Sequence, residues 1–96
     1  MQLTLIGRRN CHLCDVMRVA LQAALVEAGV AASTVALVEI DLNDHPNLEG
    51  RYSEWVPVLL LGSLEEDREI CHYHFDAEQW HAATGLGALQ AGSANS

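Results

Sequence analysis

The feature that most constrains the fold is a Cys-x-x-Cys pair placed where an apolar run gives way to a helical period. The run "LTLIG", residues 3–7, has the length and composition of a short buried strand. After the loop "RRN", apolar residues recur with helical spacing up to Gly29, which stands where a left-handed cap ends a helix. Cys11 and Cys14 are therefore predicted in the first turn of that helix. Its apolar face is predicted to comprise Leu13, Met17, Ala20, Leu21, Ala24, Leu25 and Ala28.

The middle of the chain alternates between strand patterns and one polar segment. Residues 33–42, "STVALVEIDL", are rich in β-branched and apolar side chains and predict a second strand. The polar segment that follows, up to residue 54, carries Pro46 and Gly50 and predicts a loop with one or two helical turns. Residues 56–62, "VPVLLLG", predict a third strand that Pro57 begins.

The last part of the chain predicts a hairpin and a short helix. A charged turn leads into a fourth strand over residues 70–75, "ICHYHF". Asp76 is predicted to cap a helix over residues 77–84, with Gln79 three positions later. The order β-α-β-(short turn)-β-β-α predicts an α/β fold, a four-stranded mixed sheet flanked by helices. Residues 1–84 form one domain in this interpretation, and residues 85–96 a frayed or partly helical tail.

Composition excludes several classes of partner. The formal charge is −8 and the sequence contains no lysine, which disfavours nucleic acids and anionic membrane surfaces. No apolar run approaches the roughly 20 residues of a membrane span. The opening "MQLTLIG" lacks the basic and long apolar regions of a secretory signal, so we expect a cytoplasmic protein.

The cysteine pair is consistent with redox chemistry or with metal binding. Three cysteines make a poor framework for a secreted disulfide scaffold, and a close pair in a reducing compartment is more typical of catalysis, redox sensing or metal ligation. A zinc site is possible if Cys11 and Cys14 are joined by two ligands from the "CHYH" segment, residues 71–74. No second Cys-x-x-Cys is present to complete such a site. Cys71 itself alternates with apolar neighbours and is predicted to be a buried core thiol.

The helix start predicts different roles for the two thiols. Orphan N–H groups and the positive end of the helix dipole stabilise a thiolate, so Cys11 is the predicted nucleophile and Cys14 the resolving thiol. Arg8 and Arg9 either add to this stabilisation or remain solvated loop residues. His12 either tunes the thiol pKa and moves a proton or has no special task. No tightly bound cofactor is implied by this pattern.

The arrangement resembles the thioredoxin fold and, more narrowly, the small bacterial glutaredoxin-like proteins. The matching features are "LTLIG", "CHLCD", the helix after it, "EIDL", "VPVLLL" and the closing "HFD". The resemblance implies that the Val56–Pro57 bond is cis, with the Val56 backbone facing the cysteines to pair with a peptide or thiol substrate. Trp55 either offers an aromatic surface to partners beside this site or packs beneath the short helix. The resemblance also implies a disulfide-bearing protein or small thiol as substrate.

Departures from the family pattern bear on the reductant. The middle dipeptide is His-Leu, and the region "CHYHFDAEQ" lacks the Gly-Gly of glutathione-binding glutaredoxins. Arg8, Arg9 and Arg51 are the candidate partners for the carboxylates of glutathione, and Asp76 either receives its amine or caps a helix. A reductase or glutathione is expected to recycle the disulfide. The alternatives are a non-catalytic binding module on the same fold, or a zinc-binding domain.

Overall fold

The structure, a computed structural model, describes residues 1–86 of the 96-residue chain. The predicted tail falls almost entirely on residues 87–96, outside the described part. The regular elements are four strands and three helices: β1 (Gln2–Gly7), α1 (His12–Glu27), β2 (Ala36–Asp41), α2 (Glu49–Tyr52), β3 (Val58–Leu61), β4 (Arg68–His72) and α3 (Ala77–Thr84). This order confirms the predicted α/β class.

The four strands form one mixed sheet in the order β2-β1-β3-β4. β1 and β2 are parallel, with Leu3 opposite Leu37, and α1 is the crossover between them. β3 runs antiparallel to both β1 and β4, so β3 and β4 form the predicted hairpin. The two central strands are therefore β1 and β3. β1 leads into the cysteine pair, and β3 begins directly after Pro57.

The sheet buries apolar side chains on both faces because successive residues of a strand point in opposite directions. On one face the strands pack against α1 and α3, and the buried residues are Leu3, Leu5, Met17, Leu21, Leu59, Ile70, Cys71 and Trp80. On the other face they pack against the segment around α2, and the buried residues are Ile6, Leu42, Leu48, Tyr52, Val58 and Leu60. β1 is covered on both sides, which explains why every residue from Leu3 to Gly7 is buried.

α1 has a narrower buried face than its apolar pattern predicts. Met17 and Leu21 are fully buried, but Leu13 is 40% exposed and does not belong to that face. Neighbouring helical positions differ by about 100°, so the rotation that buries Cys14 turns Leu13 towards solvent. Gly29 has φ of +73° directly beyond the end of the helix, in agreement with the predicted left-handed cap.

Strand boundaries differ from the predicted ones. Ala32–Thr34 forms a 3-10 turn, so β2 begins three residues later than expected. β3 begins at Val58 rather than Val56. β4 runs over Arg68–His72 rather than 70–75, because Tyr73 has φ of +66° and takes the chain out of the extended conformation.

The connecting segments follow their local chemistry. The polar segment after β2 forms two 3-10 turns and α2, confirming the predicted helical turns. In the β3–β4 hairpin, Ser63 is the N-cap of a 3-10 turn and donates its N–H to the Glu66 carboxylate, and Asp67 adopts a left-handed conformation before β4. Asp76 caps α3 by accepting the N–H of Gln79 at 3.1 Å, as predicted. Within residues 1–86, no helix has the length and apolarity that crossing a membrane requires.

Candidate functional site

The cysteine pair sits at the N-terminus of α1. Cys11 is the N-cap residue, with φ of −105° and ψ of +108°, and Cys14 lies in the first turn. The two residues are joined by a disulfide, with their Cα atoms 5.2 Å apart. Their spacing along a helix brings the side chains together without unwinding the turn.

The two sulfurs have unequal access to solvent. Cys11 is half-buried, whereas Cys14 is only 3% exposed. The backbone N–H of Cys14 donates to Cys11 Sγ at 3.1 Å, so the outer sulfur occupies the position of a capping acceptor. Cys11 is thus the sulfur that an incoming group can reach, and it already accepts a hydrogen bond from the helix backbone.

Gly7 leaves room for the inner sulfur. A Cβ atom at Gly7 would lie 2.7 Å from Cys14 Sγ and 3.3 Å from Cys14 Cβ, closer than ordinary contacts. The end of β1 therefore packs directly against the cysteine pair. A cleft of about 230 Å³ opens beside Cys14 between α1 and β2, lined in part by Asp15 and Glu39.

The charged residues around the pair are engaged with one another. Arg8 donates to Glu49 at 2.7 Å and to Asn43 at 2.9 Å. Arg9 donates to Asp41 at 2.8 Å and also pairs with Asp44. These contacts tie the loop before Cys11 to the segment after β2, so both guanidinium charges are balanced by carboxylates.

Two further charges beside the cysteines are balanced in the same way. Asp15 follows Cys14 directly, and its carboxylate accepts from Arg18 at 2.7 Å. Arg18 also pairs with Glu39 on β2 at 2.8 Å. The hydrogen bond from Arg9, the largest contribution, holds the pKa of the Asp41 carboxyl below its usual range. His12 is exposed at the first position of α1.

Pro57 directly precedes β3, at the end of the sheet where β1 leads into the cysteine pair. The Val56–Pro57 peptide bond is cis. Ile6 pairs with Val58 in an antiparallel register. The next position along the pair therefore places Pro57 opposite Gly7, the residue that contacts Cys14. Pro57 is fully buried, and Val56 packs against the core on the α2 side of the sheet.

Trp55 belongs to an exposed aromatic cluster that the sequence pattern does not indicate. Its indole is 47% exposed and stacks on Tyr73, with ring centroids 6.1 Å apart. His72 makes edge contacts with both rings. The "CHYH" pattern predicts a strand or metal ligands, and nothing in it indicates the left-handed turn at Tyr73 that brings these rings together.

The other candidate residues lie in the core, in an ion pair or beyond the end of the sheet. Burial is the main cause of the raised pKa of the Cys71 thiol, which is 6% exposed and belongs to the core as predicted. Arg51 pairs with Asp67. Within residues 1–86 no three His, Cys, Asp or Glu side chains are grouped so that they would hold a metal ion, and His74 lies beyond the end of β4.

The chain is similar to a known domain family and to several solved structures. The family "Glutaredoxin-like domain (DUF836)" matches residues 2–83. No curated protein matches the chain. Protein Ne2328 from Nitrosomonas europaea, solved by solution NMR, is 30% identical with a TM-score of 0.67 and covers 85% of this chain and 88% of its own.

Two more solved structures extend the likeness. Protein XcR50 from X. campestris is 35% identical over 83% of this chain and 91% of its own, with a TM-score of 0.56. Thioredoxin 1 from Thermosipho africanus TCF52B is 17% identical over 83% of this chain and 85% of its own, with a TM-score of 0.50, and shows a shared fold alone. The chain therefore has a thioredoxin-like fold and belongs to the glutaredoxin-like domain family.

Proposed function

We propose that the protein is a thiol–disulfide oxidoreductase that works through dithiol exchange. The observation that carries this proposal is the asymmetry of the cysteine pair. The reachable sulfur of Cys11 caps α1 and accepts an N–H from the helix, while its partner Cys14 is buried one turn further in. A nucleophile with a sheltered resolving thiol needs this arrangement.

The exchange takes place in two steps from the reduced protein. The Cys11 thiolate attacks one sulfur of a substrate disulfide, forming a bond to it, and the other substrate sulfur leaves as a thiolate and takes a proton. Cys14, after losing its proton, then attacks the Cys11 sulfur and displaces the second substrate thiolate. The substrate gains two electrons and two protons, and the protein is left with the Cys11–Cys14 disulfide.

The helix start is the main source of thiolate stabilisation in this proposal. A position at a helix N-terminus lowers a cysteine pKa from about 8.5 into the range of roughly 3.5–7.5. Arg8 and Arg9 add little, because each guanidinium is already paired with carboxylates. His12 is exposed at the same turn, where it is able to exchange a proton with solvent and substrate.

The surroundings of the cysteine pair also support a proposal for the substrate and the reductant. The Val56–Pro57 segment at the neighbouring strand offers backbone groups to a disulfide-bearing polypeptide or a small thiol. A reductase or glutathione recycles the disulfide, in a reducing compartment such as the cytoplasm. Since Arg8, Arg9 and Arg51 are all engaged by carboxylates, a protein dithiol fits the site better than the doubly carboxylated glutathione.

Single-cysteine variants test the mechanism. We expect Cys11→Ser to abolish reduction of a model disulfide, because the nucleophile is lost. Cys14→Ser is expected to retain the first step and to accumulate a mixed disulfide with the substrate, detectable by intact mass. Cys71→Ser is the matched control and should keep the parental rate, since Cys71 lies in the core.

The alternative of a non-catalytic binding module makes the opposite prediction. Such a protein would reduce the model disulfide no faster than free thiols do, and Cys14→Ser would trap no substrate. Equal rates for Cys11→Ser and the parent would overturn the oxidoreductase proposal.

A further inference from the structure

An aromatic surface stands next to the candidate site and is not used by the exchange chemistry. Trp55 and Tyr73 stack with an interplanar angle of 29°, and both side chains are at least 40% exposed. The His72 ring makes a T-shaped contact with Trp55 at a centroid distance of 5.2 Å. We call Trp55 and Tyr73 the aromatic pair.

Hydrogen bonds hold the aromatic pair against the Pro57 segment. The backbone N–H of Tyr73 donates to the Pro57 carbonyl at 2.9 Å. The Tyr73 hydroxyl donates to the Glu54 carbonyl at 2.7 Å. Tyr73 is thereby bound at both its backbone and its side chain to the two ends of the segment 54–57, and Pro57 lies at the level of Gly7 beside Cys14.

The surroundings of the aromatic pair are acidic. Glu54 adjoins Trp55, and no ion pair joins it to a side chain within residues 1–86. Glu69 accepts from His72 Nδ1 at 2.6 Å and is 46% exposed at its side chain. An open cavity of about 300 Å³ beside Trp55 is lined by Arg51, Tyr52, Asp67, Glu69 and His72.

Positive charge near this surface is already neutralised or distant. Arg51 is paired with Asp67 and lies over the Tyr52 ring. Arg68 stands at the opposite end of β4 from His72. The surface thus combines exposed aromatic faces with carboxylates, in a chain whose net charge is −8.

On the basis of the proposed function, we propose that the aromatic pair docks a lysine or arginine side chain that neighbours the disulfide in a polypeptide substrate. A cation within about 6 Å of an indole face is attracted by its quadrupole. Glu54 and Glu69 complement the same charge. The proposal gives this site a preference for basic disulfide-bearing polypeptides over acidic ones.

The preference is tested with two disulfide peptides that differ only in a lysine or a glutamate beside the cysteine. We expect the parent to have the higher kcat/KM on the lysine peptide, with the difference shrinking at high salt. Trp55→Ala should lower kcat/KM for the lysine peptide about fivefold through KM, with kcat unchanged. Trp55→Phe should restore most of the preference, and Glu54→Gln should weaken it. Val26→Ala, at an exposed apolar position far along α1, is the control.

A binding measurement keeps the test independent of catalysis. The same peptides with serine in place of cysteine cannot exchange, and Trp55 reports their binding by fluorescence because the other tryptophan, Trp80, is only 1% exposed. We expect a saturable fluorescence change when the lysine peptide binds the parent protein, and no such change in Trp55→Phe, which lacks the reporting indole.

Three outcomes overturn the docking proposal. Equal binding of both serine peptides would remove the charge preference. Unchanged kcat/KM in Trp55→Ala would remove the aromatic contact, even if Cys11→Ser is inactive and the oxidoreductase proposal stands. A dimer that Trp55→Ala converts to a monomer, with peptide discrimination unaltered, would assign the surface to contact between copies of the chain.

Discussion

Cys11 and Cys14 share one helical turn but experience different environments. Cys11 is the cap of α1 and is half-buried, whereas Cys14 packs against the backbone of Gly7. The difference arises because the helix axis is fixed by the burial of Met17 and Leu21 against the sheet. At the scale of single residues, packing below the pair decides which sulfur faces outward.

Gly7→Ala tests how tightly β1 supports the cysteine pair. The added methyl would approach Cys14 Sγ to 2.7 Å, and a disulfide-bonded sulfur in the core has little room to move. We expect the free energy of unfolding of the oxidised protein to fall by about 1–3 kcal/mol, measured by urea denaturation.

Gly50→Ala is the matched control for this substitution. A Cβ at Gly50 meets no atom within 4 Å, and its position in α2 favours alanine. We expect Gly50→Ala to be neutral or slightly stabilising. A loss of stability in Gly50→Ala equal to that in Gly7→Ala would show that the close approach to Cys14 is not the cause.

Among the elements, α2 is the one most dependent on tertiary contacts. It is four residues long, too short to be stable alone, and Tyr52 anchors it in the core. The Tyr52 hydroxyl donates to Asp67 at 2.9 Å, and Arg51 pairs with the same carboxylate. These bonds connect α2 to the β3–β4 hairpin, next to the segment that carries Trp55 and Pro57.

Tyr52→Phe should change the response of stability to alkaline pH. Burial, followed by the hydrogen bond to Asp67, raises the pKa of Tyr52 above its usual value. The parent is therefore expected to lose stability as pH rises from about 10, the pKa of an unfolded tyrosine, through the higher folded pKa. The variant should lose about 1 kcal/mol at pH 7 and should show less of this alkaline decline in thermal melts.

Tyr73→Phe provides the comparison for the alkaline experiment. Its hydroxyl is exposed and bonds a backbone carbonyl, so its removal should leave most of the alkaline decline in place. A parental pH profile in Tyr52→Phe would contradict the assignment of that decline to Tyr52.

At the scale of the whole molecule, four arginines of this acidic protein form ion pairs that connect different parts of the chain. Arg8, Arg9, Arg18 and Arg51 each pair with one or two carboxylates from a different element or loop. With a net charge of −8, the charge that remains exposed is mainly negative. Such a surface attracts cationic partners at long range, and salt weakens that attraction.

Acid pH should destabilise the molecule through its engaged carboxylates. Bonds from Arg9, Ser63 and Tyr52 are the largest causes of the lowered pKa values of Asp41, Glu66 and Asp67, respectively. A group with a lowered folded pKa stabilises the protein above its unfolded pKa, about 4 for a carboxyl, and loses that contribution as pH falls through the folded value. We therefore expect the urea midpoint to fall as pH decreases below about 4.

Glu66→Gln separates one of these contributions. Glu66 accepts the Ser63 N–H at 2.9 Å, so the variant should show a shallower acid dependence of the urea midpoint. Glu65→Gln, an exposed neighbour in the same turn, should keep the parental dependence. Identical slopes in both variants would exclude the Ser63–Glu66 cap as a source of the acid response.

Much of the architecture is readable from local pattern. The run before the cysteines, the period of α1 and the Asp76 cap each report on interactions within a few residues, and these elements were predicted with small errors. The strand ends were less accurate: β4 ends at His72 because Tyr73 has φ of +66°, a backbone conformation that the apolar pattern of residues 70–75 does not indicate. Leu13 was misplaced because apolar character does not show which rotation of the helix the sheet selects.

The sequence by itself determined the class of fold and the position of the two thiols at the start of a helix, because hydrophobic periodicity and helix capping are local properties. Only the tertiary structure decided how deeply Cys14 is buried, that Arg8 and Arg9 are engaged by carboxylates, and that Trp55 meets Tyr73. Each of these depends on contacts between segments far apart in the chain. The local sequence pattern is compatible with several arrangements, and packing and charge pairing between distant segments determine which one forms.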